Sequence, residues 1–165
     1  TGAAFIRNAD VCNNSGSAQD FNSEEGVLYA EIAALADDGS FREMGLSDNT
    51  LDTRVIFSYT GTSNRIRGNV KIASSSTAFN LFYTTTDVTD FIKVAVKFKS
   101  GDYALWVNGV ERATNTTSDI FAVNELTHLN FTSGTGSSSA MFGKVRNLQV
   151  FTEALTDEQL QELTS

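Results

Sequence analysis

The stretch KVAVKFKSGDYALWVNGVER, residues 93–112, decides the fold. In its first seven residues Val94, Val96 and Phe98 fall on one face, and Lys93, Ala95, Lys97 and Lys99 on the other. A period of two is that of a strand with one buried face. Ser100-Gly101-Asp102 is turn chemistry, so Tyr103-Ala104-Leu105-Trp106-Val107 returns alongside as the second arm of a hairpin. Asn108-Gly109 then predicts a second tight turn, because a type I′ turn needs positive φ at both central residues. If Leu105 and Val107 point inward, Trp106, the chain's single tryptophan, points to the lysine side.

The same rhythm runs outward from this stretch. Residues 27–35 alternate with Leu28, Ala30 and Ile32 inward and Tyr29 and Glu31 outward. Ala, Leu and Glu would also suit a helix there. Gly26 and the Asp37-Asp38-Gly39 turn bracket the run at strand length and favour a strand. Further strands are predicted over residues 3–6, 41–46, 53–59, 65–72, 78–84 and 126–131. In residues 65–72, Ile66, Val70 and Ile72 go inward, and Arg65, Arg67, Asn69 and Lys71 go outward. Polar segments separate the strands, with longer loops over residues 13–25 and 133–139. Strands spaced by such turns indicate a sandwich or barrel. In the last strand Val145 and Leu148 have opposite parity yet both should be buried, which predicts a bulge near Arg146-Asn147. Thr156 and Gln159 form a capping box, so a short helix follows, running toward Leu163. Leu155, Leu160 and Leu163 would pin it to the sandwich.

Length and composition agree. A chain of 165 residues with 41% hydrophobic residues makes one domain with a sizeable core. The net charge of −8 argues against nucleic acid as a partner. That charge is uneven: residues 54–112 hold eight Lys and Arg against four Asp and Glu, and the remainder holds four against sixteen. A basic middle in an acidic protein suits an anionic ligand met on one face. Solvated strand faces account for it more simply. The lone Cys12 permits no internal disulfide and, with His128 as the single histidine, no zinc site. No apolar run reaches membrane-spanning length, so membrane insertion is not expected. The sequence shows no signal peptide, but it starts at Thr1, so a leader or upstream domains could have been removed.

Two phrases carry a family resemblance. ALWVNGVE, residues 104–111, resembles the "lYvNGv" hairpin of the concanavalin A-like, or laminin-G-like, jelly-roll domains. FGKVRNLQVFTEALTDEQ, residues 142–159, is similar to that family's closing phrase, a glycine-led last strand ending in an aromatic and then "aLs-D/E-E-Q/E". The resemblance implies an all-β fold, a two-sheet antiparallel β-sandwich with one short C-terminal helix, over residues 1–165 as a single domain. These motifs are structural, specific for fold and weak for function.

The family includes glucanases, whose paired carboxylates come from one strand, and a retaining glycosidase needs the two about 5 Å apart. No such spacing occurs here, and Glu31, mid-strand, has no acidic partner two or four residues on. His128, the only candidate general base, falls on a surface position, and Gly-x-Ser-x-Gly is absent. No catalytic residue is therefore assigned, and no cofactor is required. Jelly rolls of the family it resembles often carry calcium, so a structural calcium is compatible with the resemblance; the loop carboxylates Asp37, Asp38, Asp48 and Asp52 are its candidates, although none matches a fixed ligand spacing. Aspartate in turns more often serves Asx hydrogen bonds.

What remains is a binding face. Sugars offer apolar C–H patches and hydroxyls, which aromatic platforms and planar hydrogen-bonding groups recognise. Trp106 is the expected platform, with Lys97 and Lys99 on the same face. Arg65, Arg67 and Asn69 would join it if their strand lies in the same sheet, and Arg forks suit carboxylate or sulfate. Tyr29 and Tyr83 are secondary aromatics. The competing fate of Trp106 is burial beneath a loop or another domain. The expected function is non-catalytic binding of a polysaccharide or cell-surface glycan, with the cations suiting an acidic one, on the concave sheet of a secreted, multidomain protein. The alternatives are an adhesive domain at a bacteriophage tail-fibre tip, on the virion surface, and a laminin-G-like protein-binding domain.

Overall fold

A computed structural model describes residues 12–135 and 137–165. The strand expected over residues 3–6 lies outside the described residues. In chain order the strands are β1 (Glu25–Ala34), β2 (Arg42–Ser47), β3 (Arg54–Tyr59), β4 (Arg65–Ile72), β5 (Thr77–Thr84), β6 (Ile92–Lys99), β7 (Tyr103–Val107), β8 (Val110–Asn115), β9 (His128–Asn130) and β10 (Gly143–Phe151). A single 3₁₀ turn, Ala73–Ser75, joins β4 to β5, and helix α1 (Asp157–Thr164) ends the chain. The strands form two five-stranded sheets, ordered β10-β1-β6-β7-β8 and β5-β4-β3-β2-β9. Neighbouring strands pair antiparallel throughout. The all-β, two-sheet sandwich expected from the alternating runs is the observed fold.

The core lies between the sheets and is built from the residues that period two turns inward. Leu28, Ala30 and Ile32 of β1, Val94, Val96 and Phe98 of β6, and Leu105 and Val107 of β7 face Met44, Leu46, Val55, Phe57, Ile66, Val70 and Ile72 of the other sheet. The run at residues 27–35, where helix competed on propensity, is a strand because its inward positions all find apolar partners across the sandwich.

The turns set the register. Asn108 and Gly109 have φ of +49° and +75°, as the type I′ turn requires. The Asn108 side-chain oxygen accepts from the Lys93 N–H at 2.9 Å, tying this turn to the start of β6. The bulge in the last strand is present. Tyr29 pairs with Gln149 and Glu31 with Arg146, so β10 has one residue more than β1 over this interval. Asn147 takes the positive φ of +51° that the irregularity needs.

Helix α1 forms from the capping box: the Thr156 hydroxyl accepts from the Gln159 N–H, and the Gln159 side chain accepts from the Thr156 N–H at 2.9 Å. Asp157 and Glu158 in the first turn suit the positive end of the helix dipole. The helix lies on the outer face of the β10-β1-β6-β7-β8 sheet. There Leu160 packs in a second apolar cluster with Val27, Tyr29, Ala95, Ala104 and Trp106, flanked by Phe151, Leu155 and Leu163. Polar bonds fasten both helix ends. Lys97 Nζ meets Asp102 at 2.8 Å and Asp157, at the helix start, at 3.1 Å. Burial opposes the Lys97 charge, but the two carboxylates outweigh it and its pKa is raised. At the far end Thr164 Oγ1 accepts from the Gly109 N–H at 3.0 Å, and the Lys93 ammonium donates to the Ser165 carbonyl.

Leu160 is fully buried between helix and sheet. Leu160→Ala should cost about 2–5 kcal/mol. It should also shift Trp106 emission to the red as the indole gains water. Denaturant titration followed by fluorescence measures both; wild-type stability and emission in the variant would show that the helix does not seal this face.

Candidate functional site

The structure separates the residues expected to share one binding face. Trp106, Lys97, Lys99 and Tyr29 lie on the outer face of the first sheet, and Arg65, Arg67 and Asn69 on the outer face of the second. Trp106 is only 6% exposed because α1 lies over it, so its indole forms an interior wall and offers no surface platform. The parity reading that turned it away from the core is right. What covers it is the chain's own helix. Tyr29 is buried in the same cluster. Lys97 is buried and held by its two carboxylates, and Lys99 pairs with Glu25 at 2.9 Å. Tyr83 sits half-buried against the main core, with the Arg112 guanidinium 4.3 Å from its ring centroid.

On the second sheet, β4 turns Arg65, Arg67, Asn69 and Lys71 outward. Across from them on β5 stand Thr84, Phe82, Asn80 and Ala78 respectively. The β2 and β3 side is largely closed. Ser47 Oγ donates to the Gly134 carbonyl at 2.7 Å, Arg54 Nη1 to the Ser133 carbonyl at 2.7 Å, and Asn130 Nδ2 to the Gly134 carbonyl at 3.3 Å. The 133–135 segment therefore folds onto this face, and Glu43, Ser47, Ile56 and Ser58 are buried. The open half is the β4–β5 half.

Arg67 is fixed in the middle of that face. Its Nε donates to Ser58 Oγ at 3.0 Å, its Nη2 to the buried Glu43 carboxylate, and its guanidinium lies 5.3 Å from the Phe41 ring centroid. Burial pulls the Arg67 pKa below its usual range, and Glu43 partly offsets this. Arg65 is held at one end only. Nε donates to Thr60 Oγ1 at 3.1 Å, and the guanidinium stacks 4.6 Å from the centroid of the exposed Phe82 ring. Among the described residues its terminal N–H groups carry no further bond. Asn69, 6% exposed, donates to Asn80 Oδ1 at 3.0 Å and to the Phe79 carbonyl at 3.3 Å, while its own buried side-chain oxygen has no partner among the described residues. Arg54, Arg65, Arg67 and Lys71 stand on this face against Glu43 and Asp52, with Asp37 and the Asp38–Arg42 pair beside Arg65, a small cationic surplus on a chain of net charge −8. The sequence reasoning missed Phe82, Phe41, Asn80 and Glu43. An available signal was the alternation of Ala78-Phe79-Asn80-Leu81-Phe82-Tyr83, which turns Phe82 and Asn80 outward beside the arginine row.

The carboxylates proposed as calcium ligands do not converge. Asp37 accepts from Ser63 Oγ and the Asn64 N–H, and Asp38 pairs with Arg42 at 2.6 Å. Asp48 accepts from Thr50 within its own turn, and Asp52 pairs with Lys71. The two pairs lie beyond opposite ends of β2, and among the described residues no three His, Cys, Asp or Glu side chains cluster as metal ligands. Calcium takes six to eight oxygens, a shell this donor set does not fit. Glu31, the mid-strand carboxylate, is engaged as well: Asn147 Nδ2 donates to it at 2.5 Å and Arg146 Nε at 2.6 Å. Both bonds stabilise the charged form and hold its pKa below the usual carboxylate range, the opposite of what a general acid needs. His128 bonds its neighbour Thr127 at 2.6 Å.

No protein-family model matches the chain, and no curated protein matches it. Solved structures do match. The Ruminococcus gnavus IT-sialidase CBM40 bound to α2,3 sialyllactose aligns with a TM-score of 0.68 at 15% identity, covering 93% of this chain and 94% of that one. A heptameric SAP-like pentraxin from Limulus polyphemus aligns with a TM-score of 0.69 at 13% identity, covering 95% and 76%. Domain 4 of AbnA, an extracellular arabinanase from Geobacillus stearothermophilus in complex with arabinotriose, gives 0.66 at 14% identity, covering 91% and 70%. At these identities the likeness establishes the fold, the jelly-roll sandwich that the sequence phrases resemble.

Glu31 supplies a pH test. Its pKa is lowered in the folded state, so its contribution to stability is present above the unfolded carboxylate pKa and is lost as pH falls through the folded value. Melting temperatures of wild type and Glu31→Gln should therefore converge as pH falls from 7 toward 3. A constant difference between them would contradict the assigned bonds.

Proposed function

We propose that this chain is a non-catalytic carbohydrate-binding domain that holds an acidic polysaccharide or cell-surface glycan on the β4–β5 half of the second sheet's outer face. The observation that carries the reading is the exposed Arg65–Phe82 stack, a planar ring beside a guanidinium with unspent donors, on the outer sheet face that α1 leaves free. The ring suits the C–H face of a sugar. The guanidinium suits its carboxylate or sulfate. The surplus of cations favours an anionic glycan over a neutral one and makes association salt-sensitive.

A sugar as the ligand class is supported by the neighbours, two of which are domains of glycan-processing enzymes whose structures hold sialyllactose and arabinotriose. A binding role without hydrolysis is supported by the engagement of Glu31 with Arg146 and Asn147 and by the absence of paired strand carboxylates from the sequence. Work on an extracellular polymer would make the domain part of a secreted, multidomain protein. Among the described residues no helix is long and apolar enough to cross a membrane.

Phe82→Ala and Arg65→Ala should each weaken binding to an acidic polysaccharide by about 1–3 kcal/mol, the range of binding hot spots, with the fold intact because both side chains are surface-placed. Arg65→Glu should lose most at low salt. Affinity electrophoresis in gels containing polygalacturonate, alginate, heparin or neutral laminarin measures this; retardation unchanged in both alanine variants would remove the face from the account.

A further inference from the structure

The outward row of β4 extends well beyond the Arg65–Phe82 stack. Arg65, Arg67, Asn69 and Lys71 follow one another at the two-residue repeat, about 20 Å from first to last at the ~3.3 Å rise of a strand. One side of this row is raised, by Phe41 beside Arg67 and by the 133–135 segment over Arg54. The other side is the edge strand β5, where Ala78 and Asn80 are short and exposed. The floor between them is polar. Asn69 lies there, 6% exposed, and bonds to Asn80 Oδ1 and the Phe79 carbonyl. At the far end the row opens into a hollow of about 290 Å³ lined by Lys71, Asp52, Ala73, Ser76 and Thr77. That volume is close to the lower end of small-ligand sites.

We infer that the face is a channel along β4 that takes an internal run of several sugars of a linear acidic polysaccharide, from the Arg65–Phe82 stack to the Lys71 hollow, and is not a pocket for one terminal acidic sugar. The inference rests on the carbohydrate-binding reading above and deepens it. A terminal-sugar site would concentrate its donors around one ring, closed on all sides. Here the cations are strung out instead. Arg67 in the centre is already committed to Glu43 and Ser58, and the donors left for acid groups stand at the two ends, Arg65 at one and the half-buried Lys71 at the other. Among the described residues Lys71 pairs with Asp52 alone, a partly exposed pair that an incoming carboxylate can exchange at little cost. The charge spacing thus demands a ligand long enough to bring acid groups to both ends at once.

The test is a length series: size-defined galacturonate and heparin oligomers, from the shortest available to eight sugars, with 3′-sialyllactose as the terminal-acid probe, titrated by calorimetry into the whole chain. Affinity should rise at least tenfold between dimer and hexamer and then level off. Lys71→Ala should weaken the hexamer more than the dimer, whereas Arg65→Ala should weaken both. If the shortest acidic ligand or 3′-sialyllactose binds as tightly as the hexamer, with Lys71→Ala matching wild type, the channel is overturned and the Arg65–Phe82 site stands alone. If no acidic oligomer of any length binds, the carbohydrate-binding reading itself falls and the channel with it.

Discussion

The packing of Leu160 against Val27, Tyr29, Ala95, Ala104 and Trp106 is the contact on which the functional geometry depends. A two-sheet sandwich has two outer faces, and an exposed sheet face of alanines, valine and tryptophan would be an aggregation liability. Helix α1 covers it, and the helix exists at that place because of three local devices. The Thr156–Gln159 capping box starts it, Lys97 grips Asp157 in its first turn, and the Asn108-Gly109 turn receives Thr164 at its end. With one outer face closed by α1, the other is where a ligand can meet a sheet.

That second face is organised from its centre. Glu43, Ser58 and Arg67 stand on three adjacent strands, β2, β3 and β4, and Arg67 donates to both of the others across them. A buried pair of this kind contributes little net stability against an apolar substitute, but losing one partner strands the other charge. Its value here is positional. Arg67 is immobilised flat on the sheet, Phe41 stacks over it, and the surface beside it is free for Arg65 and Phe82. Binding sites gain from such rigidity because less side-chain entropy is lost when the ligand arrives.

Much of this was legible in the sequence where the information is local. Strand parity, both turns of the β6–β8 stretch, the bulge at Asn147 and the cap of α1 each follow from a few neighbouring residues. The placement of Trp106 was not. Parity turned it outward correctly, but whether an outward face meets water depends on what packs there from fifty residues away. The warning lay in its companions: Ala95, Ala104, Tyr29 and Val27 share that face, and a strand apolar on both sides is one covered on both sides. Sheet membership was the other non-local fact. Nothing in residues 65–72 says that β4 belongs with β3 and β5 and not with β6, so Arg65 and Arg67 could not be separated from Lys97 and Lys99 by pattern alone. The Glu43–Arg67 pair joins residues 24 positions apart through a third strand and leaves no periodic trace.

The account's central claim is that ligand meets the outer face of β4 and β5 and leaves the helix-covered face untouched. Backbone amide NMR of the labelled chain during titration with a polygalacturonate or heparin hexamer tests it most directly. The account predicts that the largest shift changes fall in residues 65–71 and 78–84 and around Phe41, while Val27, Ala95, Ala104, Trp106 and α1 stay in place. Changes concentrated instead on β1, β6, β7 and α1 would contradict it, placing the ligand on the side that the helix is said to close.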